Sequence, residues 1–222
     1  METTRMADNA AEKEIGTFLG EYLYSNQIFT RADRTNDVNS QVSGSDIIIS
    51  IPSLGISDGI VDEKAASHYI NKSIDTFILE LSFINNSDGI SEGWFLNDTL
   101  TTQYYLLQWI KAKETNPAIL KKDDITEIEC ILVRKDKLRK YFEDEGWGKE
   151  RLLKLSQDMR DWWKRGGKTL VRPEGKPFKF LLSYKYKEQP VVIILDKEIY
   201  SKLCDFHFSV SDKGILDGLN SL

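Results

Sequence analysis

Three ionisable residues stand where two β-branched runs would otherwise be apolar. Asp46 opens the run "DIIISI", and Asp62 and Lys64 lie two residues apart in "GIVDEKAA". Two carboxylates a few ångströms apart resist ionising together unless a cation sits between them. Mg²⁺ prefers hard oxygen donors and is commonly held by one or two carboxylates, with water and substrate phosphate completing its shell. A lysine beside such a pair can orient or deprotonate a water, or offset charge developing on a phosphoryl group. Asp, Asp and Lys on one face would suit hydrolysis of a phosphodiester.

The elements that must place them are two strands, over 46–51 and 60–65, joined by "PSLGISDG", whose Pro, Gly, Ser and Asp are turn formers. A hairpin symmetric about Leu54 sets position 46 opposite position 62, with the two Cβ atoms about 5 Å apart. Period-2 alternation then puts Lys64 on the face of Asp62 and turns Glu63 to the other. A single bulge would shift this register. The plain alternative is an exposed sheet edge on which Asp62 and Lys64 form a nearly neutral ion pair.

Around the hairpin, Ile15, Phe18, Leu19 and Tyr22 recur at helical spacing and predict an amphipathic helix over 12–24, after a disordered tail at 1–10. "TRADRTNDVNSQ" reads as a loop. Strands are expected over 76–84, 102–112 and 125–133, and as a pair, "FKFLLSYKYK" and "PVVIILD", around "EQP". Helices are expected over 135–144, 149–164 and 197–204, the second ended by Gly166 and Gly167, with an ill-defined tail after them. The class is α/β of the mixed α+β kind, a central mixed β-sheet flanked by helices, with 11–222 forming one domain. Its core would lie over about 12–134, and its basic half over about 135–205.

The order of a helix-borne Glu, an Asp at the head of a strand, and Asp-any-Lys on the next strand resembles the PD-(D/E)XK, or restriction-endonuclease-like, nuclease superfamily. "SGSDI", "VDEKAASHYIN", "FILELSF" and "GWFLND…YYLLQWIKA" together look like a group of small bacterial proteins of that type. The resemblance implies a restriction-endonuclease-like core, Mg²⁺ or Mn²⁺ held by Asp46 and Asp62, water activated by Lys64, and Glu14 as the helical acid. Ser45 stands where that family often has proline, and Glu12 and Glu21 compete with Glu14 for the helical position. Glu14 and Glu21, seven apart, share a helix face.

Charge divides the chain. Residues 131–190 hold 17 Lys and Arg against 9 Asp and Glu, although the whole chain carries −5. Lys164, Arg165 and Lys168, with Trp162 and Trp163 beside them, and Arg31 and Arg34 ahead of the acidic strands, are the candidate phosphate contacts. Core packing is the better reading for at least one of the two tryptophans, which fall on the apolar stripe of their helix. Glu80 either joins the metal site from a neighbouring strand or partners a basic residue; His68, a proton carrier by type, reads better as an ordinary surface or hydrogen-bonded histidine, and His207 has no neighbour at a metal-ligand spacing. Cys130 and Cys204 show no CxxC spacing and read as buried thiols. Neither a signal peptide nor an apolar run long enough to span a bilayer is visible, so a cytoplasmic protein without membrane contact is expected. The function that follows is a metal-dependent nuclease acting on nucleic acid, DNA ahead of RNA. A homodimer would supply the two centres that cutting both strands requires. The alternative is a catalytically silent module binding nucleic acid or protein on the same sheet.

Overall fold

A computed structural model describes residues 2–35 and 43–218. Along the chain the elements are α1 (Glu2–Tyr22), β1 (Arg31–Arg34), β2 (Ile47–Ile51), β3 (Ile56–Ala65), β4 (Thr76–Ile84), β5 (Ile90–Glu92), β6 (Tyr104–Ala112) and β7 (Ile125–Arg134). There follow α2 (Lys135–Asp144), α3 (Lys149–Lys164), β8 (Leu170–Val171), β9 (Phe178–Leu182), β10 (Val191–Asp196), α4 (Lys197–Leu203), β11 (Phe206–Ser211) and β12 (Gly214–Gly218). The class is mixed α/β, as expected, with two sheets instead of one central sheet. Sequence reading takes 11–222 as one domain. The chain is laid out in two compact units, 1–74 with 101–134 and 204–222, and 75–100 with 135–203. The break at 134/135 is the point the two descriptions share.

The first unit is a seven-stranded sheet in the order β1-β2-β3-β6-β7-β11-β12, parallel only between β3 and β6. β6 is buried along nearly its whole length, as a central strand covered on both faces must be. Ala11, Ile15, Phe18 and Leu19 of α1 pack with Ile49 and Val61 of the hairpin, Leu106 and Ile110 of β6, and Phe206, Phe208 and Val210 of β11. That apolar stripe is what makes a helix with an otherwise polar sequence worth forming here. It also corrects the expected tail at 1–10, because the helix already runs from Glu2. Asp8 is tied down by accepting a hydrogen bond from Ser67 Oγ at 3.1 Å.

Two more expectations change. The stretch expected as a loop at 30–41 contains β1, a polar edge strand paired antiparallel to β2; its last part, 36–41, lies outside the described residues. The expected tail contains β11 and β12, whose alternating Phe206, Phe208 and Val210 fill the core; residues 219–222 lie outside the described residues.

The second unit is a five-stranded antiparallel sheet, β5-β4-β10-β9-β8, including the expected pair of β9 and β10. A chain of edge-to-face rings, Phe95 to Phe142 at 5.7 Å and Phe142 to Phe178 at 5.2 Å, joins α2 to the sheet. On α3 the buried positions are Leu152, Leu155, Ser156, Met159 and Arg160. Trp162 is exposed and Trp163 half-buried, so neither tryptophan belongs to the core. Among the described residues no helix is long and apolar enough to cross a membrane.

Candidate active site

The hairpin keeps the register on which the site depends. Ile47 faces Val61, Ile48 faces Ile60 and Ile49 faces Gly59, the pairing that sets position 46 opposite 62. The one irregularity falls between Ile49 and Ile51, on the turn side, and leaves the acidic end in place. The turn itself is a 3-10 segment, Pro52–Leu54, closed by Gly55 in the left-handed region at φ 66°.

Asp46 sits just ahead of β2. Thr35 Oγ1 donates to the Ser45 carbonyl, and Thr102 Oγ1 to that of Gly44 at 2.6 Å, which fixes the backbone leading into it. The Asp46 amide donates to the Val61 carbonyl at 2.9 Å. Its Oδ2 accepts the Glu63 amide at 2.7 Å, so the carboxylate is anchored to the residue between Asp62 and Lys64.

Asp62 is only 3 % exposed. Its Oδ1 lies 2.6 Å from Lys64 Nζ, and the Asp46 carboxylate is within hydrogen-bonding reach on the same face. Burial pushes the Asp62 carboxyl up to about 7; Lys64 opposes the rise and Asp46 adds to it. For Lys64, burial alone would lower the pKa. The Asp62, Asp46 and Glu12 carboxylates outweigh burial and hold it above the ordinary lysine value. An exposed edge pair would leave both partners in water, and this carboxylate has left it.

Glu63 points the other way, as alternation requires. It accepts the Tyr24 hydroxyl at 2.7 Å and Arg34 Nη1 at 2.6 Å. Arg34 thus neutralises a carboxylate and also reaches the Gly16 carbonyl at 3.3 Å. Arg31 is likewise held by Asp33 at 2.6 Å and Asp58 at 2.7 Å. Both arginines read from the sequence as phosphate contacts already have anionic partners.

The helical acid brought towards the cluster is Glu12 instead of Glu14. Glu12 lies on an exposed turn of α1, but its carboxyl is crowded by protein, which raises its pKa; Lys64 lowers it, and Asp46, Asp8 and Glu63 raise it further. Glu14 accepts the Lys122 amide at 3.0 Å, and Glu21 pairs with Lys122 Nζ at 2.8 Å. The two do share a face, and that face meets 121–122. Asp8, one helical turn before Glu12, holds His68 Nε2 at 2.8 Å. Sequence reading missed Asp8; its four-residue spacing from Glu12 was the available signal.

The other candidates have local partners. Glu80 is on β4 of the second unit, where its charge is felt at Arg160. His207 pairs with Glu129 at 2.9 Å; Cys130 is buried as expected, whereas Cys204 is only half-buried. Lys164, Arg165 and Lys168 are exposed at and beyond the end of α3.

Among the described residues, no group of three or more His, Cys, Asp and Glu converges as a ready-made metal cage. The donor set is the pair Asp46 and Asp62. Two hard-oxygen carboxylates, one held near pKa 7 by burial and by the other, are what a divalent cation would relieve, and Mg²⁺ takes its remaining ligands from water and phosphate. The residues present therefore fit such an ion. Comparison with family models, curated proteins and solved structures finds no match to this chain.

Proposed function

We propose that the protein is a metal-dependent nuclease of the restriction-endonuclease-like kind, hydrolysing phosphodiester bonds of cytoplasmic nucleic acid, DNA ahead of RNA. The observation that carries this reading is a carboxylate 3 % exposed, side by side with a second carboxylate and 2.6 Å from a lysine ammonium. Buried charges gathered at the mouth of a hairpin are costly to fold and are typical of sites that use them. Held by Asp46 and Asp62, Mg²⁺ or Mn²⁺ would supply Lewis acidity at a phosphoryl oxygen. Lys64 is a cation at neutral pH, which suits orienting a water and offsetting charge on the phosphoryl group more than removing a proton. Glu12, with its pKa raised, is the acid suited to take the proton from that water. Phosphates would be met by Lys164, Arg165 and Lys168. The second reading is a silent module binding nucleic acid or protein on the same sheet.

The test is incubation of the purified protein with DNA and RNA in Mg²⁺, Mn²⁺ or EDTA. Cleavage should require the metal and fall at least about a hundredfold in Asp62→Ala and Lys64→Ala. Glu12→Gln should cost more activity than Glu14→Gln. Cleavage indifferent to EDTA and to both Asp62→Ala and Lys64→Ala would reject the site.

A further inference from the structure

We propose that the C-terminal end of α3 and the β9–β10 loop form a platform for single-stranded nucleic acid. From Lys164 to Lys187 the chain carries eight Lys and Arg and a single acid, Glu174. Several lysines of this unit are tied to acids, Lys140 to Asp144, Lys149 to Glu92 and Asp98, Lys154 to Asp158 and, within this stretch, Lys176 to Glu145. Among the described residues, Lys164, Lys168, Lys185 and Lys187 have no carboxylate partner, and all four are exposed. A cluster of cations left in water is held together by the fold and has no internal charge to satisfy it.

Aromatic rings lie among these cations. Trp163 stacks on Tyr184 with centroids 5.7 Å apart and planes 26° from parallel. Tyr184 is 42 % exposed, Tyr186 52 % and Trp162 38 %. The rings are held in place from beneath. Arg160, 1 % exposed, donates to the Ser82 hydroxyl at 2.9 Å, to the Ser82 carbonyl at 3.1 Å and to the Gln189 carbonyl at 2.9 Å. It thereby pins the far end of the loop to α3, while the Trp163–Tyr184 stack pins the near end. The Leu182 amide donates to the Thr169 carbonyl at 2.8 Å and brings Lys168 alongside.

A base in a duplex hides its faces in the stack, whereas an unpaired base offers them. Fixed, half-exposed rings flanked by unpaired lysines suit a strand whose phosphates follow the cations and whose bases stack on the rings. A duplex would gain only the phosphate contacts. This deepens the nuclease reading by naming the form of nucleic acid held, and it rests on that reading only in taking nucleic acid as the ligand.

The test uses full-length Asp62→Ala protein in EDTA, with a labelled single strand of about 15 nucleotides and a duplex of the same sequence, followed by fluorescence anisotropy. The single strand should bind more tightly. Tyr184→Ala with Tyr186→Ala should weaken it by about tenfold and leave the duplex unchanged, while the corresponding Phe variants retain binding. Lys164→Ala, Lys185→Ala and Lys187→Ala together should weaken both and flatten the salt dependence by about 0.7 per lost contact on the single strand. Equal affinity for strand and duplex, indifference to the tyrosine pair, or displacement by polyglutamate at matched charge would overturn the proposal; the last would mark a surface for acidic protein. Strand binding without cleavage by the wild type in Mg²⁺ would fail the nuclease reading alone. Cleavage without strand preference in binding would fail this one alone.

Discussion

Asp62 is pushed in one direction by two causes, burial and the Asp46 carboxylate, and only Lys64 opposes them. The unfolded chain releases the Asp62 proton near the ordinary value of 3.8, and the folded chain near 7. Between those values the native state keeps a proton that the unfolded state has lost. The stability this proton contributes is complete below the unfolded value and disappears as pH rises through the folded one. Asp62→Asn keeps the shape and does not titrate, so the melting temperature of the wild type should fall by several degrees relative to the variant between pH about 4 and about 8. Mg²⁺ at the upper pH should restore the wild type and leave Asp62→Asn unmoved. A difference constant across that range would mean that Asp62 titrates as an ordinary carboxyl. Asp46, Asp62 and Lys64 are legible in the sequence, because Asp62 and Lys64 obey the two-residue period of a strand and Asp46 follows from the hairpin's symmetry. Glu12 is not, since which helix face meets the sheet is decided by packing. Glu14 and Glu21 share the face that sequence spacing assigns them, and it docks on Lys121 and Lys122. Arg31 and Arg34 looked available because their partners Asp58 and Glu63 are 27 and 29 residues away in sequence.

β3 has to satisfy an antiparallel neighbour, β2, and a parallel one, β6, while presenting Asp62 and Lys64 on one face. Gly59 makes the crossing of these demands possible. A Cβ there would meet the Ile56 Cγ2 methyl at 2.8 Å and the Tyr104 ring at 3.0 Å. Neither is the free end of a flexible chain, so Gly59→Val must move the strand and should cost about 1–3 kcal/mol, the usual range for overpacking. A denaturant titration should show the midpoint lowered with the slope unchanged, and an unchanged midpoint would mean that β3 has room to spare. The hairpin was legible because turn formers separate two β-branched runs. β1 was hidden because "RADR" is an exposed edge strand with no apolar alternation. β11 did carry a signal, Phe206, Phe208 and Val210 at period two, inside a stretch otherwise read as a tail. The pairing of β4 with β10 could not be read, since their paired residues lie more than 100 positions apart.

At the scale of the molecule, chain order and spatial order disagree. The charge boundary visible near residue 131 falls beside the passage at 134/135, but the segment after it supplies only β8, β9 and β10 of the second unit's sheet, which β4 and β5 from 75–100 complete. The first unit, however, is finished only by the chain after Leu203, through β11 and β12. β7 lies between β6 and β11, and Phe206, Phe208 and Val210 of β11 close the apolar face over which α1 packs. A fragment ending at Arg134 would keep Asp46, Asp62, Lys64 and α1 and yet expose the whole edge of β7, where Ile128, Cys130, Ile131, Leu132 and Val133 are buried in the full chain. An open hydrophobic edge of that kind pairs with other chains. The fragment 1–134 should therefore scatter light and show no cooperative melt by circular dichroism under conditions where the full chain melts cooperatively. Replacing 75–100 by a short linker and attaching 204–218 after 134 by another should suppress the aggregation, because those residues both cap the edge and fill the core, and no strand of the second unit is left without its partners. Soluble, cooperatively melting 1–134 would show that α1 and the hairpin hold the sheet without β11.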